Sequence, residues 1–198
     1  MRRNFSLVFG PLACISALLL TACNHEQPAT TTDKAETPTA PADPNADFVT
    51  WTQDGQVYKA TDVSAFRYQT LPVISINGGI VAEGQGLSER TLTLSIPTTF
   101  AKPGTYPLPQ SGNSFSVVSG QLVLPPAEAS TPRSYSTEFG PAAANGSLTL
   151  TECNPQAQRF AGTFEFTAKS MSTASPATQT VTAGSFRLTK LQVAPNGI

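Results

Sequence analysis

Charge is what this chain has least of. Only 13% of its 198 residues are Asp, Glu, Lys or Arg, where a soluble globular protein carries about 25%. That deficit excludes a coiled coil, a Lys/Glu-rich helical bundle and a disordered polyampholyte. Twelve basic side chains against thirteen acidic ones leave a formal net charge of −1. Such a surface has no cation excess to displace counter-ions from a phosphate backbone, so nucleic acid is not an expected partner. Histidine is almost missing as well, the one residue being His25. From residue 47 onward there is none, which removes Ser-His-Asp, Cys-His and His-zinc chemistry from that part of the chain. Hydrophobic residues, at 39%, are not deficient. Thr, Ser, Pro and Gly stand in for the charge, as suits a β-rich, turn-rich domain with a hydroxylated solvent face.

Divided along the chain, the near-neutral total separates into three zones. Residues 1–22 carry Arg2 and Arg3 and no acid, a charge of +2. Residues 23–46 hold Lys34 against Glu26, Asp33, Glu36 and Asp43, a charge of −3. The remaining 152 residues are balanced, nine bases against nine acids. The first zone reads as an export signal: a basic start, an apolar run over residues 5–20 interrupted by Gly10-Pro11, then small residues. It is too short for a comfortable membrane span.

At its end, Leu20-Thr21-Ala22-Cys23 resembles a bacterial lipobox. The resemblance implies cleavage before Cys23, which becomes a lipid-bearing N-terminus. With two or three acyl chains at ~0.8 kcal/mol per buried CH2, such an anchor is effectively permanent. An ordinary secretory signal with a coincidental cysteine is the plainer alternative, and Cys14 is a poorer anchor because it would leave too short an apolar run. Arg2-Arg3-Asn4-Phe5 also faintly resembles a twin-arginine signal, although a plain basic start is the simpler description. In residues 24–46, fourteen of 23 are Pro, Ala or Thr and none is a large aliphatic or aromatic. Nothing there offsets the entropy of ordering, so a disordered tether with polyproline-II character is expected. At ~3.1 Å per residue it could hold a domain up to about 70 Å from a bilayer. His25, inside this tether, reads as a solvated side chain.

From Asp47 onward the hydrophobic period is two. Arg90-Thr91-Leu92-Thr93-Leu94-Ser95-Ile96 alternates cleanly, as do residues 146–151 and 160–166. Alternation of this kind marks strands packed on one face only, as in antiparallel sheets. Asp54-Gly55 separates two such runs, 48–52 and 57–59, and is a strong hairpin signal. Gly104-Thr105-Tyr106, Gly146-Ser147-Leu148, Gly162-Thr163-Phe164 and Gly184-Ser185-Phe186 read as strand openings that share one punctuation. No window has the pattern of an amphipathic helix. The expectation is an all-β fold: one antiparallel β-sandwich-like domain, or flattened barrel, of about nine to ten strands over residues 47–198. A domain of this size buries roughly 68–70% of its surface and needs no disulfide.

Phe48-Val49-Thr50-Trp51 followed by Asp54-Gly55-Gln56-Val57-Tyr58-Lys59-Ala60 resembles the opening of a family of β-rich bacterial lipoproteins of unknown function, found largely in Bacteroidetes. Gly104-Thr105-Tyr106-Pro107-Leu108, residues 146–151, Phe160-Ala161-Gly162-Thr163-Phe164-Glu165-Phe166 and Val181-Thr182-Ala183-Gly184-Ser185-Phe186 follow in the family's order. The likeness covers residues 48–191. It implies fold and envelope location, and carries over no activity and no catalytic residues.

Few residues remain for chemistry. Asp54, Asp62, Glu83, Glu89, Glu138, Glu152 and Glu165 offer carboxylate pairs of the kind glycoside hydrolysis needs, and sequence selects none. Lys59, Lys102, Lys169 and Lys190 sit in no serine-lysine motif. Cys153 is the one thiol left unmodified after processing. Parity from Leu148 and Leu150 puts it on the Thr149/Thr151 face, either reactive, or paired between molecules, or, more simply, without a job. Asp54-Gly55 belongs to no calcium loop. Trp51, Tyr58, Tyr68, Tyr106 and Tyr135 could form a sugar or peptide platform, though Trp51 and Tyr58 read first as caps on the core. Residues 125–145, with Arg133, Tyr135 and Glu138, form the longest irregular stretch and a second candidate.

The expectation is therefore a lipid-anchored cell-envelope protein, placed at the outer membrane, with Cys23 as anchor and no catalytic residue, cofactor or metal. Its partners would be the membrane and a glycan, peptide or protein. A structural subunit docking through a sheet edge is the alternative, and a carboxylate-based hydrolase comes third.

Overall fold

The structure is a computed structural model and describes residues 43, 45–81, 88–110, 115–126, 133–172 and 177–194, without the side chains of 88 and 89. The expected signal, the Cys23 anchor, His25 and the tether as far as residue 42 lie outside the described residues.

Strict alternation becomes strand over residues 90–96, 146–151 and 160–166. Ser114-Phe115-Ser116-Val117 alternates too and reads as strand, whereas its described residues 115–117 are turn and bend. In β10 (Arg159–Ser170), Phe160, Gly162, Phe164, Phe166, Ala168 and Ser170 are buried while Arg159, Thr163 and Glu165 are exposed. The other strands are β1 (Phe48–Gln53), β2 (Gln56–Lys59), β3 (Asp62–Tyr68), β4 (Val73–Val81), β5 (Ser88–Pro97), β6 (Gly104–Pro109), β7 (Ser119–Val123), β8 (Ser134–Ser136), β9 (Ala144–Asn154), β11 (Thr178–Leu188) and β12 (Gln192–Ala194). Among the described residues, helix is confined to two single turns of 3-10 type, Thr98–Phe100 and Thr137–Phe139. Asp54 and Gly55 both have positive φ, at 51° and 78°, the conformation of a type I′ turn, which twists as the flanking strands do.

The strands form one open sheet in the order β12-β3-β4-β5-β7-β8-β10-β11-β1-β2, with β9 on β10 and β6 on β9. This sheet folds over on itself to make a sandwich. A methyl group at Gly78 of β4 would press on Val49 of β1, and one at Gly120 of β7 would meet the Phe166 ring of β10. Two features make the corners. Residues 159–166 of β10 pair with β9, whereas Lys169 and Ser170 pair with Ser136 and Tyr135 of β8. Between β2 and β3 the chain crosses layers, with Ala60 N–H donating to Val49 O and Thr61 N–H to Gly79 O. Trp51, Ile74, Ile76, Leu92, Leu94, Leu122, Leu148, Phe160 and Phe186 fill the space between, fully buried. At about 1.5–3 kcal/mol for each such side chain, this filling dominates the stability of the fold.

The all-β sandwich-like expectation holds, with three amendments. There are twelve strands among the described residues rather than nine or ten, because β8 and β12 are only three residues long and show no readable period. One pair is parallel: Gln192, Val193 and Ala194 run alongside Phe66, Arg67 and Tyr68 of β3. Finally, Gly162 and Gly184 open no strand. They lie inside β10 and β11, where Gly162 pairs with Phe186 and Phe164 with Gly184.

Candidate functional site

The aromatic candidates do not converge on a platform. Trp51 and Tyr135 belong to the core. Tyr58 stacks on Trp51 with centroids 5.6 Å apart, and the guanidinium of Arg90 lies over its ring, 4.2 Å from the centroid. Tyr106 meets Phe100 edge-on and donates its hydroxyl to Lys102 O, while Tyr68 ends β3 beside Ala194. Arg90, only 3% exposed, also donates through Nη1 to Gln53 Oε1, and Gln53 Nε2 donates to Gln179 Oε1 at 2.7 Å. These rings and amides tie β5 to β1, β2 and β11.

The described part of residues 125–145 holds more regular structure than its composition suggests. Residues 127–132 lie outside the described residues, but 134–136 form β8 and Tyr135 is buried. Arg133 Nε donates to Leu124 O. The buried Asn145 side chain receives the Ala142 N–H and donates to Thr137 O and Ala142 O, holding the approach to β9. Glu138 is the second residue of the 3-10 turn, its N–H capped by Ser136 Oγ.

Cys153 corrects the parity reading. Leu150 pairs with Gly162 and Glu152 with Ala161, so Thr151 is an extra residue in β9. This bulge reverses the alternation beyond it. Cys153 therefore faces the same side as its partner Phe160 and packs against the core, away from the Thr149 face. Burial pushes its thiol pKa up, which lowers the thiolate fraction on which reactivity depends.

Of the carboxylates, Asp54 lies in the β1–β2 turn, Asp62 starts β3, and Glu152 pairs with Arg159 at 2.9 Å on the surface. Glu83 and the side chain of Glu89 fall outside the described residues. Glu165 is different, because the backbone builds a concave surface around it. Opposite Glu165, β11 contains one residue too many: Phe164 pairs with Gly184 and Phe166 with Val181, leaving Thr182 and Ala183 to face one residue of β10. Ala183 takes φ of +48° to fit. A bulge bends its strand and re-aims side chains. Here a cleft of about 290 Å3 opens on one side of Glu165, with Thr167, Thr180, Thr182, Ala142 and Asn145 in its lining. A second, of about 400 Å3, opens on the other side, lined by Ser147, Thr163, Ala183 and Ser185. Glu165 is shared by both and is the only charged side chain among the described residues that line them. Three of the lining hydroxyls have partners: Ser185 bonds to Thr50 at 3.0 Å, and Thr167 and Thr180 bond to each other at 3.4 Å.

A family model matches residues 45–188, described as Domain of unknown function (DUF6252). The chain belongs to this family. The match spans β1 to β11 and includes both clefts, the bulge and Arg187, whereas β12 falls beyond it. No curated protein and no solved structure matches the chain. Membership of DUF6252 thus brings no assigned chemistry.

Sequence reasoning counted Glu165 as one acid among seven and did not see the clefts. The signal was present as a broken period. Inward residues in β11 run Val181, Gly184, Phe186, Leu188, with a step of three where alternation requires two. The step from Leu150 to Cys153 in β9 is the same sign.

Proposed function

We propose that this chain is a lipid-anchored protein of the bacterial cell envelope, placed at the outer membrane through Cys23, whose DUF6252 domain is a non-catalytic binding module for a glycan, peptide or protein. The observation that carries the reading is the pair of clefts astride Glu165. They combine a concave surface with convergent polar groups, the usual form of a recognition site. They present one carboxylate among the described lining residues, where glycoside hydrolysis uses two, about 5–9 Å apart.

Placement supports the same reading. The Arg187 guanidinium donates to the carbonyls of Asp43 and Ala46, and Asp47 Oδ1 accepts from Thr189 N–H and Oγ1, both at 2.7 Å. The expected tether is thereby gripped at the end of the sandwich where Phe48 pairs with Arg187. Thr180 pairs with Thr167 and Arg187 with Ala161, six residues apart along β10, so Thr180 lies roughly 20 Å toward the opposite end at ~3.3 Å per residue. A ligand reaching the farther cleft would meet the end of the domain opposite the one where the chain enters β1.

Docking of a partner strand finds less support. β2 and β12 are short, and the edge strand β6 carries Pro107 and Pro109, the devices by which edges are kept from pairing.

Two measurements test the proposal. Cys23→Ser is expected to abolish lipid labelling and membrane retention, and retained labelling would refute the anchor. A photo-crosslinking residue at Thr182 is expected to capture an envelope component that the same residue at Thr91, on the outer face of β5, does not. Equal capture from both positions would refute the clefts as the contact.

A further inference from the structure

We infer that the two clefts act as one site for a neutral polyhydroxylated chain, a glycan, whose hydroxyls donate to Glu165. This deepens the binding-module reading and rests on it. The lining supplies six hydroxyls, from Ser147, Thr163, Thr167, Thr180, Thr182 and Ser185, around a single carboxylate. A hydroxyl both donates and accepts, and an ionised carboxylate only accepts, through two oxygens. The complementary ligand therefore offers many groups that both donate and accept, with at least one pair of donors side by side. Neighbouring hydroxyls on a sugar ring have that arrangement, and their bonds to Glu165 would be charge-assisted.

Other ligand classes fit less well. No Lys or Arg is among the described lining residues, so phosphates and acidic sugars would meet a lone negative charge with nothing to offset it. A bound peptide strand needs free backbone N–H and C=O groups at a sheet edge. The clefts instead lie over β10 and β11, which are flanked by strands on both sides: β9 and β8 with β11 for β10, and β10 with β1 for β11. Recognition must run through side chains. A basic peptide would have one carboxylate to pair with, whereas the hydroxyls extend along the strands. From residue 163 to residue 167 the strand rises about 13 Å, room for more than one sugar ring. The Thr50–Ser185 and Thr167–Thr180 pairs hold three of the six lining hydroxyls before any ligand arrives, which lowers the ordering cost of binding.

The test uses the full lipidated chain in detergent micelles, followed by amide NMR. The probes are neutral oligosaccharides (malto-, xylo-, cello- and chito-series, and neutral glycans released from the producing bacterium's envelope), a tri-lysine peptide and an oligogalacturonate. A neutral series is expected to shift amides of residues 163–167 and 180–185, with little dependence on salt. Glu165→Ala is expected to weaken that binding about ten-fold or more and Glu165→Gln by less, since Gln keeps one acceptor oxygen. Glu165 is exposed, so neither change should alter the fold, which the unchanged amide spectrum of the free variants would verify. Absence of shifts with every neutral probe, or shifts indifferent to Glu165→Ala, overturns the glycan assignment. Binding of tri-lysine alone, abolished by salt, overturns it while leaving a binding module at this site. Loss of all probe binding together with failed crosslinking from Thr182 overturns both.

Discussion

Phe164 and Gly184 face each other across β10 and β11, and a methyl group added at Gly184 would overlap the Phe164 ring. Two residues away the arrangement is reversed, with Phe186 lying over Gly162. Each phenyl ring thus occupies space that its partner's missing side chain leaves open. The two rings rest 6.3 Å apart between the layers.

Gly184→Ala should therefore act by overpacking. The expected loss is about 1–3 kcal/mol, read as a lower urea midpoint with an unchanged slope. Combining it with Phe164→Leu should recover part of the loss, since the two sites share one space. Full additivity of the two changes would contradict the contact.

Arg90 offers a second test. Arg90→Ala removes the cover from Tyr58 and leaves Gln53 Oε1 without its donor, at an expected cost of about 1–3 kcal/mol. Arg90→Lys keeps the charge and loses the planar stacking, so it should fall between wild type and Arg90→Ala. Trp51 is the single tryptophan and stacks on Tyr58, so its fluorescence reports the transition without labelling. Equal stability of the Lys variant and wild type would show that stacking contributes nothing.

Cys153 sets a pH dependence. Its pKa is raised in the fold by burial, so the folded state holds the proton more tightly than the unfolded chain does. The resulting stability is fully present below the unfolded thiol value, ~8.5, and is lost as pH rises through the folded value. Unfolding free energies of the wild type and Cys153→Ala, measured across pH 7 to 10.5, should converge or cross on the alkaline side. A constant difference would place the thiol in water. Modification by a disulfide reagent at neutral pH should also be slow in the native protein and fast in urea.

Arg187 and Asp47 anchor the entry of the chain into β1. Arg187→Ala should leave the core intact while accelerating proteolysis before Phe48, because two carbonyls lose their donors. Asp47→Ala removes both bonds to Thr189 and is expected to cost about 1–3 kcal/mol. Mass spectrometry of timed digests checks the first expectation and thermal melts the second. An unchanged cleavage rate in Arg187→Ala would mean that the grip does not order this segment.

Local signals were legible where they act over a few residues. Alternation in residues 90–96 and 160–166 predicted β5 and β10, and Asp54-Gly55 predicted the turn between β1 and β2. Parity failed at Cys153, and the bulge at Ala183 went unread, for one shared reason. A bulge inserts a residue without changing the local composition, and only the facing strand reveals it. β8 and β12 escaped because three residues cannot display a period. The Gly-Thr-Phe and Gly-Ser-Phe triplets were visible as a pattern, but their pairing with each other depends on which strands become neighbours.

By itself, the scarcity of charge with ample hydrophobic residues determined the class of this protein: one-sided strands with hydroxyls facing water. That follows from the chemistry of single residues and the period-two geometry of an extended chain. Tertiary structure alone decided that Glu165, among seven candidate acids, stands between two clefts. Its setting depends on Ser147, Thr180 and Thr182, brought beside it by β9 and β11, and on one extra residue in β11. Such a surface is a property of strand order and register, which come from packing the core rather than from any one segment.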